Sequence, residues 1–267
     1  MPSKIVLITG AAHGIGFTVA KYLLLQGDIV IPTDVDSAVF KSFVDDQNAF
    51  PLRMDVTDEE SVHVTMEKLR QKYEYIDCIV NNAGIFIGGP IVEVDIEDYR
   101  KIWDINLMGY VRIIKAFFPL LRKESRVINI SSEVGRITFP FTGPYTITKY
   151  AVEAFSDCLR RELMFKDIKV IKIQPGSINT RFVDRTKTSF KQYCEGSAFE
   201  NQINRVWRVL ASEGNAEPIF MAKAIYKAIH KKHPKYRYRI KNNRTRRVLE
   251  FLPARFVDYL LKNVIKK

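Results

Sequence analysis

The sequence predicts an α/β fold in which helices cover both faces of a doubly wound parallel sheet. Three observations carry this prediction: short β-branched runs bounded by turn residues, helical patterns between those runs, and a glycine-rich turn after the first run. Strands that alternate with helices of this length form right-handed β–α–β units, which place the strands parallel to one another. A chain of 267 residues, 46% of them hydrophobic, can bury such a core as one domain.

The predicted strands are short apolar runs, and the predicted helices fill the segments between them. The strands cover residues 5–9, 29–32, 50–56, 76–81, 126–131 and 169–174. The helices cover residues 14–26, 37–47, 58–73, 96–122 and 145–165. The third helix begins in the acid-rich stretch "TDEE" at 57–60, which suits the positive end of a helix dipole. After Gly176 the alternation loosens, so a separate C-terminal portion is expected there.

The turn after the first strand is rich in glycine, with Gly10, Gly14 and Gly16 in "TGAAHGIG". Glycine at this turn lets backbone N–H groups approach a pyrophosphate, and the start of the helix adds a partial positive charge. A tight turn without a ligand is the alternative for a glycine triplet taken alone. Its position between a strand and a helix favours a dinucleotide site, so the predicted architecture is a Rossmann fold.

A tyrosine and a lysine stand four residues apart at the start of the fifth predicted helix, in "GPYTITKYAVEAF". Tyr145 and Lys149 therefore share one helix face. A neighbouring ammonium favours the phenolate and lowers the pKa of the phenol. Such a phenol can accept the proton of an alcohol as the alcohol is oxidised. An ordinary pair on a helix surface is the alternative for these two residues taken alone.

Several motifs in a fixed order resemble those of the classical short-chain dehydrogenase/reductase family, over residues 4–240. They are "TGAAHGIG" at 9–16, "DV" at 55–56, "NNAG" at 81–84, "DINLMG" at 104–109, "ISS" at 130–132, "YTITK" at 145–149 and "QPGSINT" at 174–180. The run from residue 130 to 157 is similar to the branch that contains retinol, hydroxysteroid and 3-hydroxybutyrate dehydrogenases. The resemblance implies hydride transfer between a nicotinamide cofactor and a steroid-, retinoid- or fatty-type alcohol.

The resemblance implies roles for four residues that match the family's catalytic set: Asn106, Ser132, Tyr145 and Lys149. Tyr145 would exchange the proton of the alcohol, and Lys149 would hold the nicotinamide ribose hydroxyls beside it. Ser132 would position the substrate oxygen, so Ser132 and Tyr145 are the predicted substrate contacts. Asn106 would anchor a water molecule on a proton path to the lysine. The alternation along "INISS" favours Ser132 over its neighbour Ser131. No metal site is predicted.

The same resemblance implies cofactor contacts at the carboxyl ends of the predicted strands. They are Thr9, Gly10, His13, Gly14, Ile15, Gly16, Asp34, Asp55, Val56, Asn82, Ala83, Gly84, Tyr145, Lys149, Pro175, Gly176, Ile178 and Thr180. Asp34 lies about 20 residues after the glycine turn, where a carboxylate binds both adenosine ribose hydroxyls and repels a 2′-phosphate. No Arg or Lys immediately follows it, and His13 stands where NADP-preferring members often carry a basic residue. NAD is therefore predicted over NADP. Capping of the next helix is the alternative role for Asp34, although Asp36 is better placed for it.

Residues 181–211 are predicted to form a mobile lid over the substrate, after a core of residues 1–180 that binds the cofactor and carries the catalytic groups. The stretches "IFIGGP" at 85–90 and "ITFPFTGP" at 137–144 offer apolar surface opposite this lid. The lid's own aromatic residues are Phe182, Phe190, Tyr193, Phe199 and Trp207. Burying apolar surface gains roughly 25 cal/mol per Å², so a small lipophilic alcohol or ketone is the predicted substrate. Packing in the core or at a subunit interface is the alternative for each aromatic residue.

The net charge of +12 is concentrated towards the end of the chain. From Met221 onwards there are 15 Lys and Arg residues and two acidic residues, which leaves the preceding part close to neutral. Residues 212–267 are predicted to form a basic C-terminal helical extension. Its apolar stripe consists of Val248, Leu249, Leu252, Phe256, Leu260 and Val264. Such a helix could rest on an anionic membrane surface or cover the substrate mouth, and packing on the body with solvated charges is the alternative. Nucleic-acid binding is not expected, because the cluster of Arg244, Arg246 and Arg247 is local.

The cysteine pattern favours a reducing compartment. Cys78, Cys158 and Cys194 form no CxxC or metal-binding spacing, and their odd number argues against a disulfide framework. The first apolar run begins at residue 4, which leaves no room for a signal peptide, and no apolar stretch reaches the roughly 18 residues needed to cross a bilayer. We therefore expect a cytoplasmic protein that becomes membrane-associated if its tail binds lipid.

Assembly and two competing functions complete the predictions. In the resembled family, the helices that match 96–122 and 145–165 commonly form the contact between subunits, which implies a homodimer or homotetramer. A non-catalytic NAD(P)-binding regulator on the same fold is the alternative function. The intact catalytic set favours an enzyme, because a regulator needs no proton path. An epimerase or dehydratase of the extended subtype is disfavoured by the TGxxxGxG spacing and the short C-terminal part.

Overall fold

A parallel sheet of seven strands forms the centre of the computed structural model, which describes residues 2–211 and 216–266. The strands are β1 (Ile5–Thr9), β2 (Ile29–Asp34), β3 (Leu52–Arg53), β4 (Ile76–Asn81), β5 (Leu121–Ile130), β6 (Lys169–Pro175) and β7 (Arg237–Ile240). Their order is β3-β2-β1-β4-β5-β6-β7, and each neighbouring pair is parallel. The strand order reverses at β1, where a crevice opens at the carboxyl ends of the strands. The predicted α/β fold class is confirmed.

Helices cover both faces of this sheet and continue beyond it. They are α1 (Gly14–Leu25), α2 (Ala38–Phe43), α3 (Glu59–Lys72), α4 (Ile96–Trp103), α5 (Gly109–Phe117), α6 (Gly143–Leu163), α7 (Arg181–Gln192), α8 (Glu200–Ala211), α9 (Ile219–His230), α10 (Arg244–Leu249) and α11 (Ala254–Lys266). Asp58 caps α3 by accepting the Glu60 N–H at 3.0 Å, and Glu59 and Glu60 occupy the first turn. The acid-rich start predicted for this helix is therefore present.

The alternation of side chains along the strands divides the apolar core between the two faces of the sheet. In β1, Val6 and Ile8 pack with α1 and α9, whereas Leu7 packs with α3, α5 and α6 on the opposite face. All three side chains are fully buried, because a central parallel strand is covered on both sides. The continuous apolar runs in the sequence follow from this arrangement.

The predicted helix 96–122 is interrupted and shorter than expected. A π-helical turn at Asp104–Met108 separates α4 from α5, and a short 3₁₀ turn at Phe118–Leu120 ends the helical segment. Pro119 lies in this last turn, where its missing N–H and its ring oppose further helix. Strand β5 then begins at Leu121 rather than at residue 126, with a register shift against β4 between Ile76 and Cys78.

The C-terminal part is not wholly helical, which corrects the prediction for residues 212–267. Strand β7 pairs with β6 and extends the sheet, and α9 packs against α1. The sequence "RYRI" does not read as a strand because it lacks a continuous apolar run. Strand β7 lies at the sheet edge, where its side chains are only half-buried. Residues 212–215, the first of this predicted C-terminal part, lie outside the described part of the chain.

Helix α11 packs on α8, which lies in the segment predicted to form a lid. The Arg205 guanidinium donates to the Ile265 carbonyl oxygen at 2.8 Å, and the Ile265 side chain joins the apolar cluster under the lid. The apolar stripe predicted for this region is divided by a turn between α10 and α11. Leu252 and Leu260 are half-buried, Phe256 is exposed, and the Val264 side chain lies outside the described residues. Within residues 2–211 and 216–266, no helix combines the length and apolarity needed to span a bilayer.

Candidate active site

A cavity of about 610 Å³ opens at the carboxyl ends of the strands and contains most of the predicted site residues. The predicted residues on its wall are Gly10, His13, Gly14, Ile15, Asp34, Asp55, Val56, Asn82, Ala83, Gly84, Ser132, Tyr145, Lys149, Pro175, Gly176, Ile178 and Thr180. Thr9, Gly16 and Asn106 lie behind this wall and contact residues that form it. The structure therefore gathers residues from all parts of the chain up to residue 180 around one space.

The glycine turn after β1 is held in a tight conformation by its neighbours. Gly10 has φ of +67°, and a Cβ on Gly16 would lie 2.2 Å from the Gly10 carbonyl oxygen. A side chain at either position would therefore displace the backbone. The Thr9 hydroxyl accepts the N–H groups of Asn82 and Ala83 at 3.0 Å each. The Asn82 amide donates to the carbonyl oxygens of Thr9 and Gly10 at 2.9 and 3.0 Å, which joins the ends of β1 and β4.

Asp34 lies at one end of the cavity and is fixed by backbone groups. Its carboxylate accepts the Ala12 N–H at 2.9 Å and the Asp36 N–H at 3.0 Å. Asp36 in turn accepts the Ala38 N–H at 2.9 Å, so Asp36 is the residue that caps α2. Asp34 is therefore free of the capping role that was its alternative explanation.

A basic residue from the lid also reaches this end of the cavity. The Arg181 guanidinium lies 3.3 Å from His13 Nδ1, and His13 Nε2 lies 2.9 Å from an Asp36 carboxylate oxygen. The hydrogen bond from Ala38 and the contact with His13 lower the pKa of Asp36. The sequence prediction missed Arg181, because it looked for a basic residue only after Asp34 and at position 13. The cavity end thus carries a cation as well as two carboxylates.

The middle of the cavity is bounded by the ends of three strands. Asp55 accepts both the N–H and the hydroxyl group of Thr57, at 2.9 and 2.7 Å. On the opposite side, a Cβ on Gly176 would lie 2.4 Å from the Lys241 carbonyl oxygen, so glycine permits a close approach of two chain segments there. Thr180 caps α7 by accepting the Phe182 N–H at 3.3 Å.

Tyr145 and Ser132 meet at the inner end of the cavity. Tyr145 lies in the first turn of α6 and Ser132 follows β5, and both residues are buried. Burial raises the pKa of the Tyr145 phenol well above its ordinary value. The neighbouring Ser132 hydroxyl opposes this effect, and the Glu133 carboxylate adds to it. The lowered pKa expected from the sequence depends on the ammonium together with a positively charged nicotinamide ring, whereas in the protein alone desolvation of the phenolate sets the direction of the shift.

Lys149 lies one helical turn beyond Tyr145 and points along the same face of α6. Its Nζ donates to the Ile130 carbonyl oxygen at 3.0 Å and lies 5.6 Å from the centre of the Tyr145 ring. Burial lowers the pKa of the Lys149 ammonium to about 8, and the Glu153 carboxylate opposes this shift. The two side chains are thus close neighbours, as predicted, and the ammonium donates a hydrogen bond to Ile130.

Asn106 lies in the π-helical turn and is fully buried. Its side chain exchanges two hydrogen bonds with the backbone of Ile85, at 2.8 and 3.0 Å, and its amide donates to the Thr148 hydroxyl at 3.1 Å. That hydroxyl donates to the Tyr145 carbonyl oxygen at 2.7 Å. Asn106 therefore connects the loop after β4 to the first turn of α6. Widened turns of this kind are frequent at functional sites.

Aromatic side chains enclose the hydroxyl pair on the lid side. The ring centres of Phe86 and Phe182 lie 5.1 and 5.6 Å from that of Tyr145. Phe190 stacks on Phe86 at 5.8 Å and lies 5.6 Å from Trp207, which lines the cavity. These contacts make the inner part of the cavity apolar.

The other predicted lid aromatics lie farther from the hydroxyl pair. The Tyr193 hydroxyl donates to the Asp98 carboxylate at 2.7 Å, which ties the lid to α4. Phe199 packs at 5.8 Å from Phe141 and is partly exposed. Packing, the alternative considered for each aromatic residue, thus describes Tyr193 and Phe199 better than a place on the cavity wall.

Glu133 and Arg246 are among the charged residues on the cavity wall that the sequence prediction missed. Glu133 directly follows Ser132, and its carboxylate pairs with the Arg246 guanidinium from α10. An acidic residue beside the predicted substrate-binding serine is a sequence signal for the first. Arg246 belongs to the basic tail, which the sequence analysis assigned to a membrane surface, to a cover over the substrate mouth or to packing with solvated charges, and only the tertiary structure brings it to the site.

Comparison with known proteins gives the same assignment along most of the chain. A model of the short chain dehydrogenase family matches residues 4–190. The chain is 40% identical over 187 residues to the mitochondrial D-beta-hydroxybutyrate dehydrogenase of Bos taurus, covering 66% of this chain but only 54% of that relative. It is 32% identical over 247 residues to a 3-ketodihydrosphingosine reductase of Bacteroides thetaiotaomicron, covering 90% of this chain and 88% of the relative.

Solved structures match the fold over nearly the whole chain. A short chain dehydrogenase/reductase from Burkholderia phymatum in complex with NAD superposes with a TM-score of 0.78 at 19% identity, covering 97% of this chain and 95% of the other. A serine dehydrogenase complexed with NADP⁺ gives a TM-score of 0.77 at 23% identity, covering 88% of this chain and 94% of the other. Proteins of this fold thus occur with either nicotinamide cofactor.

Proposed function

Because this chain belongs to the classical short-chain dehydrogenase/reductase family of oxidoreductases, we propose that it is an NAD(H)-dependent enzyme that interconverts a lipophilic alcohol and its carbonyl compound. The observation that carries the proposal is the buried pair of hydroxyl groups on Ser132 and Tyr145, at the inner end of a cavity that begins at Asp34. A steroid-, retinoid- or fatty-type alcohol is the proposed substrate class.

The cavity has the shape and donor set that a nicotinamide cofactor requires. The backbone N–H groups of the glycine turn and the start of α1 would hold the pyrophosphate. Asp34 would bind the adenosine ribose, and Lys149 the nicotinamide ribose. The space between these points is lined by Asp55, Val56, Asn82, Ala83, Gly84, Pro175, Gly176, Ile178 and Thr180. When bound, the oxidised cofactor supplies the hydride acceptor and a positive charge beside the phenol.

The residues of this chain would handle the substrate oxygen and its proton. Ser132 donates a hydrogen bond that holds the oxygen, and Tyr145 accepts the alcohol proton during oxidation or returns it during reduction. The aromatic wall excludes water, which strengthens the influence of nearby charges on the phenol. Lys149 remains charged below about pH 8 and favours the phenolate that oxidation needs. Asn106 fixes the first turn of α6, and we propose that it also anchors the proton path.

The preference for NAD rests on the acidic residues at the adenosine end. Asp34 and Asp36 would repel a 2′-phosphate, and Asp34 retains oxygen lone pairs for the ribose hydroxyls beyond its two backbone contacts. Arg181 opposes this preference, because its guanidinium contacts His13 at the same end of the cavity and would attract a phosphate. His13 Nε2 is paired with the Asp36 carboxylate, so this ring nitrogen is not available to a 2′-phosphate, which supports NAD as the better ligand.

The lipophilic substrate class is supported by the aromatic wall around the hydroxyl pair. Phe86, Phe182 and Trp207 present apolar surface to the cavity, and burial of a matching ligand surface gains roughly 25 cal/mol per Å². The relatives named for hydroxybutyrate and for ketodihydrosphingosine support interconversion of an alcohol and a ketone, in one case on a long-chain lipid.

The experiment that tests the function is a hydride-transfer assay, read as reduced-cofactor absorbance, with purified protein and a panel of fatty alcohols, hydroxysteroids, retinol and short hydroxy acids. The proposal expects turnover, with the highest kcat/KM on a lipophilic member. The alternative, an NAD(P)-binding regulator, expects cofactor binding with no turnover on the panel or on the corresponding ketones. Preference for the short hydroxy acids would retain the enzyme and reject the lipophilic class.

Two proposals concern partners. The first is a homodimer or homotetramer built on α4 to α6, because Met108, Phe118 and Ile147 are exposed apolar residues on this segment; light scattering tests it. The second is peripheral contact of α10 and α11 with an anionic membrane surface. Phe251, 76% exposed, and Tyr259, 62% exposed, stand among the basic residues of these helices.

A further inference from the structure

The turn that follows Ser132 and the segment of α10 are joined by two ion pairs of opposite polarity. Glu133 pairs with the Arg246 guanidinium and also accepts the Asn243 N–H at 3.1 Å. Arg136, three residues after Glu133, pairs with the Glu250 carboxylate at 2.6 Å. Each segment therefore contributes one acid and one base. Both ion pairs form together only when the two segments lie in this one relative position.

The pair of Glu133 and Arg246 is largely removed from water, whereas in the second pair Arg136 is 41% exposed. The side chains of Glu133 and Glu250 are each 7% exposed and that of Arg246 is 11% exposed. Arg239 from β7 also donates to Glu250, at 2.9 Å, so the second pair is anchored to the sheet. A buried carboxylate that loses its partner is strongly disfavoured, so these contacts hold the two segments in one relative position.

The local structure aims Arg246 at the turn. The Asn243 side chain caps α10 by accepting the N–H groups of Thr245 and Arg246, at 2.9 and 3.3 Å. The Arg246 guanidinium lies 4.8 Å from the centre of the Phe139 ring, which restricts it further. It consequently reaches the cavity wall beside Glu133.

The position of Glu133 has an electrostatic consequence for the reacting phenol. Its carboxylate follows Ser132 directly in the chain and acts unfavourably on the phenolate of Tyr145. The guanidinium of Arg246 offsets that negative charge where it arises. The same contact holds the 3₁₀ turn of residues 133–135, from which the Val134 N–H donates to the Ser132 hydroxyl at 3.3 Å.

We propose that Arg246, in the C-terminal segment outside the sheet, is a positioning residue for the proposed reaction. By holding Glu133, it fixes the turn that carries Ser132 and offsets a carboxylate that opposes formation of the Tyr145 phenolate. This inference rests on the proposed dehydrogenase function and assigns part of it to α10. The C-terminal segment is thereby a component of the catalytic site.

Other charged or titratable groups also face this region and belong in the interpretation of any pH profile. Those around the phenol are Lys149 on α6, Tyr110 on α5, and Arg181, Asp184, Arg185 and Lys187 on the lid wall. Those around the turn of Glu133 are Arg136, Glu153, Arg239, Arg247 and Glu250. None of these groups is altered in the variants below, so differences between the variants report on the pair itself.

The test compares Arg246→Gln, Glu133→Gln and the double variant, with Arg244→Gln as a matched control because Arg244 is an exposed arginine on the same helix. The readout is the pH dependence of kcat/KM for alcohol oxidation. Arg246→Gln is expected to move the acid limb upward by about half a pH unit or more, and Glu133→Gln to move it downward. The double variant should return towards the unmodified profile. Arg246→Gln with the profile of Arg244→Gln would overturn the inference.

A second readout requires no turnover. Hydrogen exchange of the Val134, Gly135 and Arg136 amides should become at least about tenfold faster in Arg246→Gln than in Arg244→Gln, and Arg246→Lys should recover part of the protection. Equal exchange in the two glutamine variants would contradict the positioning role even if the chain lacked activity. Absence of turnover in the unmodified chain counts against the proposed function, whereas turnover with unchanged profiles and exchange counts against this inference alone.

Discussion

The ammonium nitrogen of Lys149 lies 5.6 Å from the centre of the Tyr145 ring and donates to the Ile130 carbonyl oxygen. Tyr110 donates to the same oxygen at 3.1 Å, so this carbonyl group fixes the lysine from behind. The lysine therefore acts on the phenol through space. Its influence has to overcome the burial that raises the pKa of Tyr145 and lowers that of Lys149. Both shifts oppose charge formation and leave a neutral phenol as the protein's resting state.

Replacing Tyr145 with phenylalanine removes the proton exchange and little else. The proposal expects kcat/KM for alcohol oxidation to fall by at least about 100-fold, since general acid–base catalysis contributes roughly 10² to 10⁴ in rate. The dissociation constant for NAD should change less than about threefold, measured by calorimetry. Tyr150→Phe is the matched control, because Tyr150 lies on the same helix and is 40% exposed. Turnover by Tyr145→Phe close to that of the control would refute the proposed mechanism.

Lys149 places a cost on folding that depends on pH. Its pKa is about 8 in the folded protein against an ordinary value of 10.5, so the folded state binds fewer protons between these values. Stability therefore rises with pH across that window and is lowest below pH 8. Lys149→Met should raise the free energy of unfolding at pH 7 by about 2 kcal/mol, after allowance for the lost hydrogen bond to Ile130. It should also reduce turnover.

The measurement for this variant is urea unfolding at pH 7 and at pH 10.5. At pH 10.5 the unmodified lysine is neutral in the folded protein and only half protonated in the unfolded chain, so the gain should disappear and the lost hydrogen bond to Ile130 should leave a small loss of stability. Lys166→Met, at an exposed lysine just after α6, should show no such pH dependence. A gain of the same size at both pH values would mean that packing, rather than charge burial, explains the difference.

The proposed preference for NAD over NADP depends on Asp34. Calorimetric titration of the unmodified protein should show NAD binding at least about tenfold tighter than NADP, because the carboxylate repels a 2′-phosphate. Asp34→Ala should weaken NAD binding and lower the ratio of the NADP dissociation constant to that of NAD. Arg181→Gln should weaken NADP binding more than NAD binding if the guanidinium contacts the phosphate, and should therefore raise this ratio. Tighter binding of NADP by the unmodified protein would contradict the NAD proposal.

Phe182 packs against the Tyr145 ring, so if the proposed function holds, truncation of Phe182 should selectively weaken the binding of lipophilic substrates. Removing the ring exposes apolar surface worth on the order of 1–2 kcal/mol, which corresponds to a rise in KM of about tenfold for a long-chain alcohol. A short alcohol that does not reach the ring should show less than a threefold change. Phe40→Ala, at a partly exposed phenylalanine on α2, serves as the control. Equal effects on short and long alcohols would place Phe182 outside substrate recognition.

The fold and the inner site were accessible from the sequence because they rest on local patterns. Strands β1 and β4 begin and end where the apolar runs do, and the glycine turn and the pair of Tyr145 and Lys149 are compact motifs. What the sequence could not supply arises from long-range packing. The strand β7 pairs only at the sheet edge, Arg181 meets His13 through the lid, and Arg246 reaches Glu133 from the tail. The raised pKa of Tyr145 likewise follows from burial, which no spacing encodes.

Helices α10 and α11 present an exposed aromatic surface next to the lid, and this surface should bind anionic vesicles. Phe251, Phe256 and Tyr259 are 76%, 49% and 62% exposed, beside the basic side chains of Arg255 and Lys262. Cosedimentation should be stronger with vesicles that contain phosphatidylglycerol than with pure phosphatidylcholine, and should weaken as salt is added. Joint replacement of the three aromatic residues with serine should reduce binding at least about fivefold.

The control for this surface is Phe165→Ser, because Phe165 is 81% exposed but follows α6, outside the basic tail. It should leave vesicle binding unchanged. If the serine variant of the three aromatic residues instead alters the mass measured by light scattering and leaves vesicle binding intact, the surface is a contact between copies of this chain. Because α11 packs on the lid helix α8, vesicles should also lower KM for a long-chain alcohol in the unmodified protein and not in the serine variant. An equal effect of vesicles on both proteins would indicate substrate partitioning into lipid rather than docking of the protein.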